Sequence, residues 1–193
     1  MEFVPIATER LVLRPVEERD RARLTRLANN WRVAKNLSRM PYPYTEAAAD
    51  EWLSKQAQYW DGGKAKPLAI ALGGDLIGGI GLELRADRDD QVWELGYWLG
   101  EPYWNRGYAS EAATAMRDYA FEALRVERLI AGHFADNHAS GRVLTKLGFR
   151  YTSEAVRYSL AQGANVRCLD MVLARSRWLE VKAGASCDAF TPA

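Results

Sequence analysis

The chain reads Gly100-Glu-Pro-Tyr-Trp-Asn-Arg-Gly107 and then Tyr108-Ala-Ser-Glu111 where a strand-like segment gives way to a helix-like one. The apolar residues 92–99 before this run are typical of a buried strand, and an amphipathic helix is predicted from Ser110. A strand that enters a helix through a glycine-containing loop places several free backbone N–H groups at one point. Those groups and the helix dipole favour an anion, typically a phosphate, but an ordinary strand–helix connection has the same pattern.

Outside this loop, strand and helix patterns alternate along the chain. The predicted strands cover residues 9–14, 68–72, 76–84, 92–99, 128–135, 149–159 and 167–174. The predicted helices are a first one carrying Leu24, Leu27, Ala28 and Trp31, a second over residues 45–60, a third from Ser110 and a short fourth over residues 137–147. Trp31, Trp52 and Trp60 lie on the apolar stripes of the first two helices and are predicted to be core residues. This order predicts one α/β domain with a mixed central sheet of about six to seven strands and about four flanking helices.

Size and composition restrict the functional classes. At 193 residues, with 48% hydrophobic and 26% charged residues, the sequence fits one globular domain. We expect that domain over residues 1–178 and a poorly ordered tail over residues 179–193. The net charge of +1 gives no electrostatic case for nucleic-acid binding, and no apolar run approaches the roughly 20 residues that span a bilayer. Cys168 and Cys187 have no metal-binding spacing and the N-terminus has no signal-peptide pattern, so a reduced cytoplasmic protein is expected.

The loop lacks the motifs of the common nucleotide-binding sites. No Gly-Lys-Ser/Thr follows Gly107, so this is not the P-loop of a nucleoside triphosphatase, and there is no Gly-x-Gly-x-x-Gly fingerprint. Its main-chain donors can still hold a pyrophosphate if Gly107 allows close approach or a positive φ. Arg106 either adds positive charge to such a site or is an ordinary exposed arginine.

A set of motifs along the chain is similar to that of one superfamily. The motifs are Thr8-Glu-Arg-Leu-Val-Leu-Arg14, Glu94-Leu-Gly-Tyr-Trp-Leu99, Trp104-Asn-Arg-Gly-Tyr-Ala-Ser-Glu111, Asn137-His-Ala-Ser140 and Lys146-Leu-Gly-Phe149. Through them the chain resembles the GNAT acetyltransferase superfamily from Thr8 to Arg175, and within it the Rim-type ribosomal-protein N-terminal acetyltransferases. The chain departs from the general superfamily signature, Gln/Arg-x-x-Gly-x-Gly/Ala, by having Trp104 at the first position. That substitution is usual in the Rim-type branch and therefore favours it.

The resemblance implies acetyl-coenzyme A (acetyl-CoA) as the acetyl donor. It implies that the pyrophosphate lies on the amides of Arg106 to Ser110, and that the pantetheine arm pairs like an extra strand where two strands splay apart. It places Asn137 and Ser140 near the thioester, whereas without it Asn137 is a plain helix N-cap and Ser140 a surface hydroxyl. The implied cofactor-binding residues are Tyr97, Trp98, Leu99, Trp104, Asn105, Arg106, Gly107, Tyr108, Ala109, Ser110 and Asn137.

Two residues are predicted to carry the chemistry. Acetyl transfer to an amine requires a neutral nucleophile, charge stabilisation at the thioester carbonyl and a proton for the departing thiolate. Glu94 is the candidate base, directly or through water. A carboxylate inside an apolar strand is costly to bury, so it is expected to have either a catalytic role or a compensating partner; an ion pair with an arginine is the alternative. Ser140 is the candidate donor to the coenzyme A thiolate. An α-amine, with a pKa of about 7.7–8.0, needs a strong protein base less than a lysine with a pKa of about 10.4.

The sequence thus predicts an acetyl-CoA-dependent N-acetyltransferase that acts on a primary amine, with a protein N-terminal α-amine as one option. The alternatives are an acetyltransferase for a small amine (an amino acid, a polyamine or an antibiotic), a non-catalytic acyl-CoA-binding module and an interaction domain without a ligand. His133 and His138 have no metal-ligand spacing, so no metal is expected. No nucleic-acid or membrane partner is expected, and the resemblance suggests a homodimer. A peptide acceptor would need an open groove, and a small amine a closed pocket.

Overall fold

One sheet of eight strands organises the part of the chain that the structure describes. A computed structural model describes residues 3–61, 63–85 and 92–184, with the side chains of residues 57, 60 and 61 outside that description. The strands are β1 Ile6–Ala7, β2 Leu11–Arg14, β3 Ala65–Leu72, β4 Asp75–Arg85, β5 Val92–Leu99, β6 Arg128–Phe134, β7 Arg150–Ser159 and β8 Ala164–Ala174. The predicted α/β class is confirmed. The strand beyond the predicted number is the two-residue β1, which pairs with the first predicted strand.

The helices of the described residues are shorter and more numerous than the sequence pattern predicts. They are α1 Arg21–Ala28, α2 Trp31–Ala34, α3 Glu46–Ser54, α4 Gln56–Asp61, α5 Tyr108–Glu122, α6 His138–Lys146 and α7 Arg175–Lys182, with 3₁₀ helices at Glu18–Asp20 and Glu101–Tyr103. Two predicted helices are each divided, the first into α1 and α2 and the second into α3 and α4. The helix α1 ends before Asn29, and Asn30 then caps α2 by accepting a hydrogen bond from the Arg32 amide. None of these helices is long and apolar enough to cross a membrane.

The division after α1 changes the environment of one predicted core residue. Trp31 begins α2 rather than continuing the apolar stripe of α1, and 42% of it is exposed, so the prediction that it is core is wrong. Trp52 is partly buried, and the side chain of Trp60 lies outside the described residues. Thr45 caps α3 as its residue type predicts, because its hydroxyl accepts a hydrogen bond from the Ala48 amide.

The sheet opens between its two middle strands. The strand order is β1-β2-β3-β4-β5-β6-β8-β7, and β5 and β6 are parallel whereas the other neighbours are antiparallel. On its β4 side β5 is paired over its whole length, but on its β6 side the register ends at the pairs Trp93–Leu129 and Glu94–Ile130. Residues 95–99 of β5 therefore keep a free edge. We call the space that it faces the β5–β6 gap.

Two apolar clusters cover the two faces of the sheet. Leu95 and Leu99 of β5 pack with Met116 and Phe121 of α5 on one face. Because side chains alternate along a strand, Trp98 points to the other face and packs with residues of α1 and α3. The β5–β6 gap thus lies between an α5 side and an α1–α3 side.

Helix α7 crosses the domain boundary predicted at residue 178. Trp178 is 5% exposed and stacks on Phe121, with 5.0 Å between the ring centroids. Residues 185–193, with Cys187, lie outside the described residues, so the order of that part of the tail stays a prediction.

Candidate active site

The loop that precedes α5 has the backbone geometry of an anion site. We call residues 104–110 the anion loop. Asn105 has a φ of 60° and Gly107 a φ of 82°, and both angles lie in the left-handed region that asparagine and glycine tolerate best. These turns lead directly into the 15-residue helix α5, whose first amides have no partner within the helix. The positive φ predicted as one option for Gly107 is confirmed.

A brace from the N-terminal strands holds the anion loop. The Arg10 guanidinium donates from Nη1 to the carbonyl oxygen of Arg106 (3.0 Å) and stacks on the ring of Tyr108 (4.6 Å from Cζ to the centroid). Glu111 accepts hydrogen bonds from Thr8 Oγ1 (2.6 Å), the Arg10 amide (2.7 Å) and Arg10 Nε (2.7 Å). Burial alone would raise the pKa of Glu111, but these hydrogen bonds outweigh it and lower the pKa. The carboxylate in the first turn of α5 is therefore ionised and compensated by Arg10.

The strand and the loop are joined at the open end of the gap. The Trp104 indole N–H donates to the carbonyl oxygen of Leu99 at 2.8 Å, which fixes the start of the anion loop on the end of β5. The side chains of Trp98 and Leu99 are taken up by the two cores, so only their main chains are available at the free edge. The predicted residues Asn105, Arg106 and Gly107 are exposed, and Tyr108, Ala109 and Ser110 are partly buried in the first turn of α5.

Hydroxyl groups meet on the α5 side of the gap. The Tyr97 hydroxyl lies 3.0 Å from Ser140 Oγ and 3.3 Å from the Ser140 carbonyl oxygen. Asn137 caps α6 by accepting from the Ser140 amide at 3.2 Å, as its N-cap reading predicts. Burial raises the pKa of Tyr97 to about 12, against the lowering effect of its hydrogen bond with Ser140. The fold therefore brings Tyr97, Asn137 and Ser140 together.

A cluster of charges lies on the opposite face, around Glu94; we call Glu94, Arg85, Arg157 and Asp170 the Glu94 cluster. Glu94 Oε2 accepts from Arg85 Nη1 at 2.5 Å and Oε1 from Arg157 Nη1 at 2.8 Å. The second nitrogen of Arg157, Nη2, donates to Asp170 Oδ1 at 2.7 Å. Burial would raise the pKa of Glu94, but Arg157 and then Arg85 outweigh it and hold that pKa below its ordinary value. The arginine ion pair expected as the alternative for Glu94 is present, and it leaves an ionised carboxylate with weak basicity.

A cationic cavity adjoins the open end of the gap. It measures about 370 Å³ and is lined by Arg32, Lys35, Asn36, Trp104, Asp136, Asn137, His138, Ala139 and Arg142. Arg32 is ion-paired with Glu101, whereas Asp136 is the acidic residue of the lining itself. The lining as a whole carries more positive than negative charge and suits a ligand that bears phosphate groups.

Sequence reasoning identified the loop and the strand but not the residues that hold them. Thr8, Arg10 and Glu111 fall within the sequence motifs that resemble the GNAT superfamily, yet their spacing does not indicate that they touch each other. Arg157 and Asp170 come from β7 and β8, more than 60 positions after Glu94. The one signal for such a partner was the burial of a carboxylate in an apolar strand, which predicts a cation without saying which one.

Comparison with known proteins assigns the domain. Residues 10–150 match the family described as "Acetyltransferase (GNAT) domain". An uncharacterised N-acetyltransferase of Bacillus subtilis (strain 168), YoaA, is 36% identical over 89 residues, which are 46% of this chain and 50% of that protein. The L-amino acid N-acetyltransferase AaaT of Escherichia coli (strain K12) is 26% identical over 157 residues, 81% of this chain and 93% of AaaT.

Solved structures agree with the fold. Mycobacterium smegmatis RimJ, in complex with a CoA disulfide, superposes with a TM-score of 0.79 at 22% identity, over 94% of this chain and 95% of RimJ. RimL, a ribosomal L7/L12 α-N-protein acetyltransferase in complex with coenzyme A, superposes with a TM-score of 0.77 at 18% identity, over 89% of this chain and 98% of RimL. At these identities the likeness concerns the fold.

Proposed function

The chain belongs to the GNAT acetyltransferase family, and from that membership we propose that this N-acetyltransferase transfers the acetyl group of acetyl-CoA to a free α-amine, such as a protein N-terminus, by direct attack on the thioester. The observation that best supports acetyl-CoA binding is the free edge of β5 beyond Glu94, which lies directly before the anion loop. A pantetheine arm can hydrogen-bond along that edge while the pyrophosphate accepts from the amides of Arg106 to Ser110. Lys35 and Arg142 supply further positive charge beside that path.

The residue at which the chain departs from the general signature has a role in this proposal. Trp104 donates to the Leu99 carbonyl and so sets the direction in which the loop leaves the strand. Its contact supports the view that the first position of the signature positions the loop rather than binding the pyrophosphate itself.

The chemistry assigned to the gap has two sides. The amine nitrogen forms a bond to the thioester carbon, the carbon–sulfur bond breaks and its electron pair goes to the sulfur. The proton that the nitrogen loses passes to water. Ser140 donates a hydrogen bond to that sulfur from the α5 side. Glu94, an anion next to the end of the paired register, stabilises the positive charge that develops on the attacking nitrogen.

The state of Glu94 favours an α-amine as acceptor. A carboxylate whose pKa is held low by two arginines is a poor base, so the acceptor must supply its own neutral form. With pKa values of about 7.7–8.0 and about 10.4, an α-amine is neutral at pH 7.4 roughly two orders of magnitude more often than a lysine side chain. The same reasoning covers a second candidate, a free L-amino acid, which the likeness to AaaT favours.

The test is a panel of amines, read by thiol release and product mass. We expect transfer to peptides with a free N-terminus or to amino acids, and kcat/KM about a hundredfold lower for a lysine whose α-amine is blocked. Because Glu94 stays ionised through the neutral range, kcat/KM should rise with pH along the titration of the acceptor and shift when an acceptor of different pKa is used. A lysine side chain acetylated as fast as an α-amine would contradict the proposal. Acetyl-CoA binding without turnover across the panel would favour a non-catalytic module.

Two further expectations belong to this proposal. The cysteine usage supports a cytoplasmic location, and the family resemblance suggests a homodimer as one option. Among the described residues, no group of three or more His, Cys, Asp and Glu side chains is placed to hold a metal ion.

A further inference from the structure

The Tyr97–Ser140 pair connects β5 to the helix that follows β6, and so links the two strands that border the β5–β6 gap. Tyr97 lies on β5, three residues beyond the last pair with β6. Ser140 lies in the first turn of α6, which follows β6 along the chain. Their hydroxyl oxygens are 3.0 Å apart, so a side-chain hydrogen bond joins β5 to α6 on the α5 side of the space in which a thioester would lie. The proposed function gives this contact a chemical meaning.

The direction of the hydrogen bond decides what Ser140 can do. Tyr97 has one hydroxyl proton and two acceptors on Ser140, the carbonyl oxygen at 3.3 Å and Oγ at 3.0 Å. When Tyr97 donates to the carbonyl oxygen, the serine proton points back at the tyrosine. When Tyr97 donates to Oγ, the serine proton is free to point into the gap. The Ser140 amide is bound to Asn137 Oδ1, so the backbone of Ser140 is fixed while its hydroxyl turns.

We propose that Tyr97 is a positioning residue for acetyl transfer: it donates to Ser140 Oγ and thereby aims the Ser140 proton at the departing sulfur. This inference rests on the proposed function. As the nitrogen–carbon bond forms and the carbon–sulfur bond breaks, the electron pair moves to sulfur, which accepts the hydrogen bond from Ser140. Protons balance because the nitrogen gives its proton to water once the amide bond has formed, and the thiolate, hydrogen-bonded to Ser140, takes up a proton from water. A serine that accepts a hydrogen bond is also a stronger donor, since hydrogen bonds in a chain polarise one another.

The tyrosine has the properties that this role requires. Its pKa of about 12 keeps the phenol protonated, and therefore a donor, through the neutral range. Its ring lies on the α5 side with the core that fixes β5. A phenylalanine can fill the same space, so the hydroxyl can be removed with little change in packing.

The decisive measurement is the pKa of the thiol of coenzyme A bound to the protein. It is followed by the ¹³C chemical shift of the carbon next to sulfur as the pH is varied. A hydrogen bond to sulfur stabilises the thiolate, so the bound thiol should titrate below the value of about 8.5 for a free thiol. Ser140→Ala should raise that pKa, and Tyr97→Phe should raise it by about half a unit to one unit. If Tyr97 acts through Ser140, the double variant should titrate like Ser140→Ala alone.

Kinetics give the second readout. Tyr97→Phe should lower kcat by about fivefold to tenfold while the Kd of acetyl-CoA stays within about a factor of two. The control is Tyr119→Phe, because Tyr119 lies on α5 and packs edge-on against Phe3, at 5.7 Å between ring centroids. That variant should leave kcat, Kd and the thiol pKa unchanged.

A third variant separates chemistry from packing. Replacing Tyr97 by 3-fluorotyrosine keeps the ring and makes the hydroxyl a stronger donor, so it should lower the bound thiol pKa where Tyr97→Phe raises it. A bound thiol pKa that is the same in wild type and Tyr97→Phe, or effects of Tyr97 and Ser140 that simply add, would overturn the inference. If coenzyme A binds but no amine is acetylated, the titration still decides the role of Tyr97 while the proposed transfer fails. If coenzyme A does not bind, both are overturned.

Discussion

Two regions beside the β5–β6 gap differ in how their charged groups are compensated. We call the anion loop with its brace the donor side, and the Glu94 cluster the acceptor side. On the donor side, the anion loop offers main-chain amides, and the carboxylate beside it, Glu111, is compensated by Arg10 and Thr8. On the acceptor side, the Glu94 carboxylate occupies the centre of the Glu94 cluster, and Arg85 and Arg157 keep it ionised. In the proposed function, the donor side would bind an anion, and the acceptor side would stabilise a positive charge that develops during the reaction.

This difference separates binding from turnover. In the proposed function, the donor side contacts acetyl-CoA equally before and during the reaction, so its loss should weaken the affinity for acetyl-CoA and leave kcat unchanged. In the same proposal, the acceptor side acts on a charge that exists only once the amine has attacked, so its loss should lower kcat and leave the affinity for acetyl-CoA unchanged. A variant on either side that changed both the affinity for acetyl-CoA and kcat would contradict this separation.

The largest effect is expected at the Glu94 cluster. Glu94→Gln keeps the shape of the side chain and removes the charge, so kcat should fall by about a hundredfold. The Kd of acetyl-CoA, measured by calorimetry, should be nearly intact. Glu154→Gln is the matched control, because Glu154 is ion-paired with Arg167 across the exposed β7–β8 pair and lies outside the Glu94 cluster. Unchanged turnover of Glu94→Gln with the true acceptor would remove Glu94 from the mechanism.

The next effect is expected in the anion loop. Gly107→Ala places a Cβ on a residue with a φ of 82° and 3.2 Å from Arg10 Nη2. An alanine in the left-handed region costs about 1–2 kcal/mol, so the Kd of acetyl-CoA should rise by about tenfold, with kcat unchanged at saturation.

Gly73→Ala is the control for that backbone strain. Gly73 has a φ of 59° in the β3–β4 turn, and an added Cβ there meets no atom within 4 Å. It should lower the free energy of unfolding without changing the Kd. If both alanine variants weaken acetyl-CoA binding equally, the loss reflects general destabilisation and the anion loop has no special part in binding.

The same contrast explains how much the sequence could predict. The anion loop is built from neighbouring residues, so the order of strand, Gly107 and helix was readable, and residues 92–99 were predicted with the bounds that β5 has. The Glu94 cluster joins residues from four strands, and no local pattern selects Arg157 over the other arginines as the partner of Glu94. The break after α1 was missed because the stripe of Leu24, Leu27, Ala28 and Trp31 continues through it. There the turn chemistry of Asn29 and Asn30 prevailed over hydrophobic periodicity.

The smallest effect is expected where the brace holds Glu111, directly after the anion loop, through a single uncharged group. Thr8→Val removes the hydroxyl that donates to Glu111 at 2.6 Å without changing any charge, so the Kd of acetyl-CoA should rise by about threefold at neutral pH, with kcat unchanged. Thr25→Val, which removes a hydroxyl bonded to the Arg21 carbonyl on α1, should leave the Kd alone. The pKa of Glu111 is lowered in the folded protein, so its brace is present above the unfolded pKa and is lost as the pH falls through the folded one. The difference in Kd between wild type and Thr8→Val should therefore shrink on acidification. A difference that persisted once Glu111 is protonated would mean that Thr8 supports the loop without Glu111.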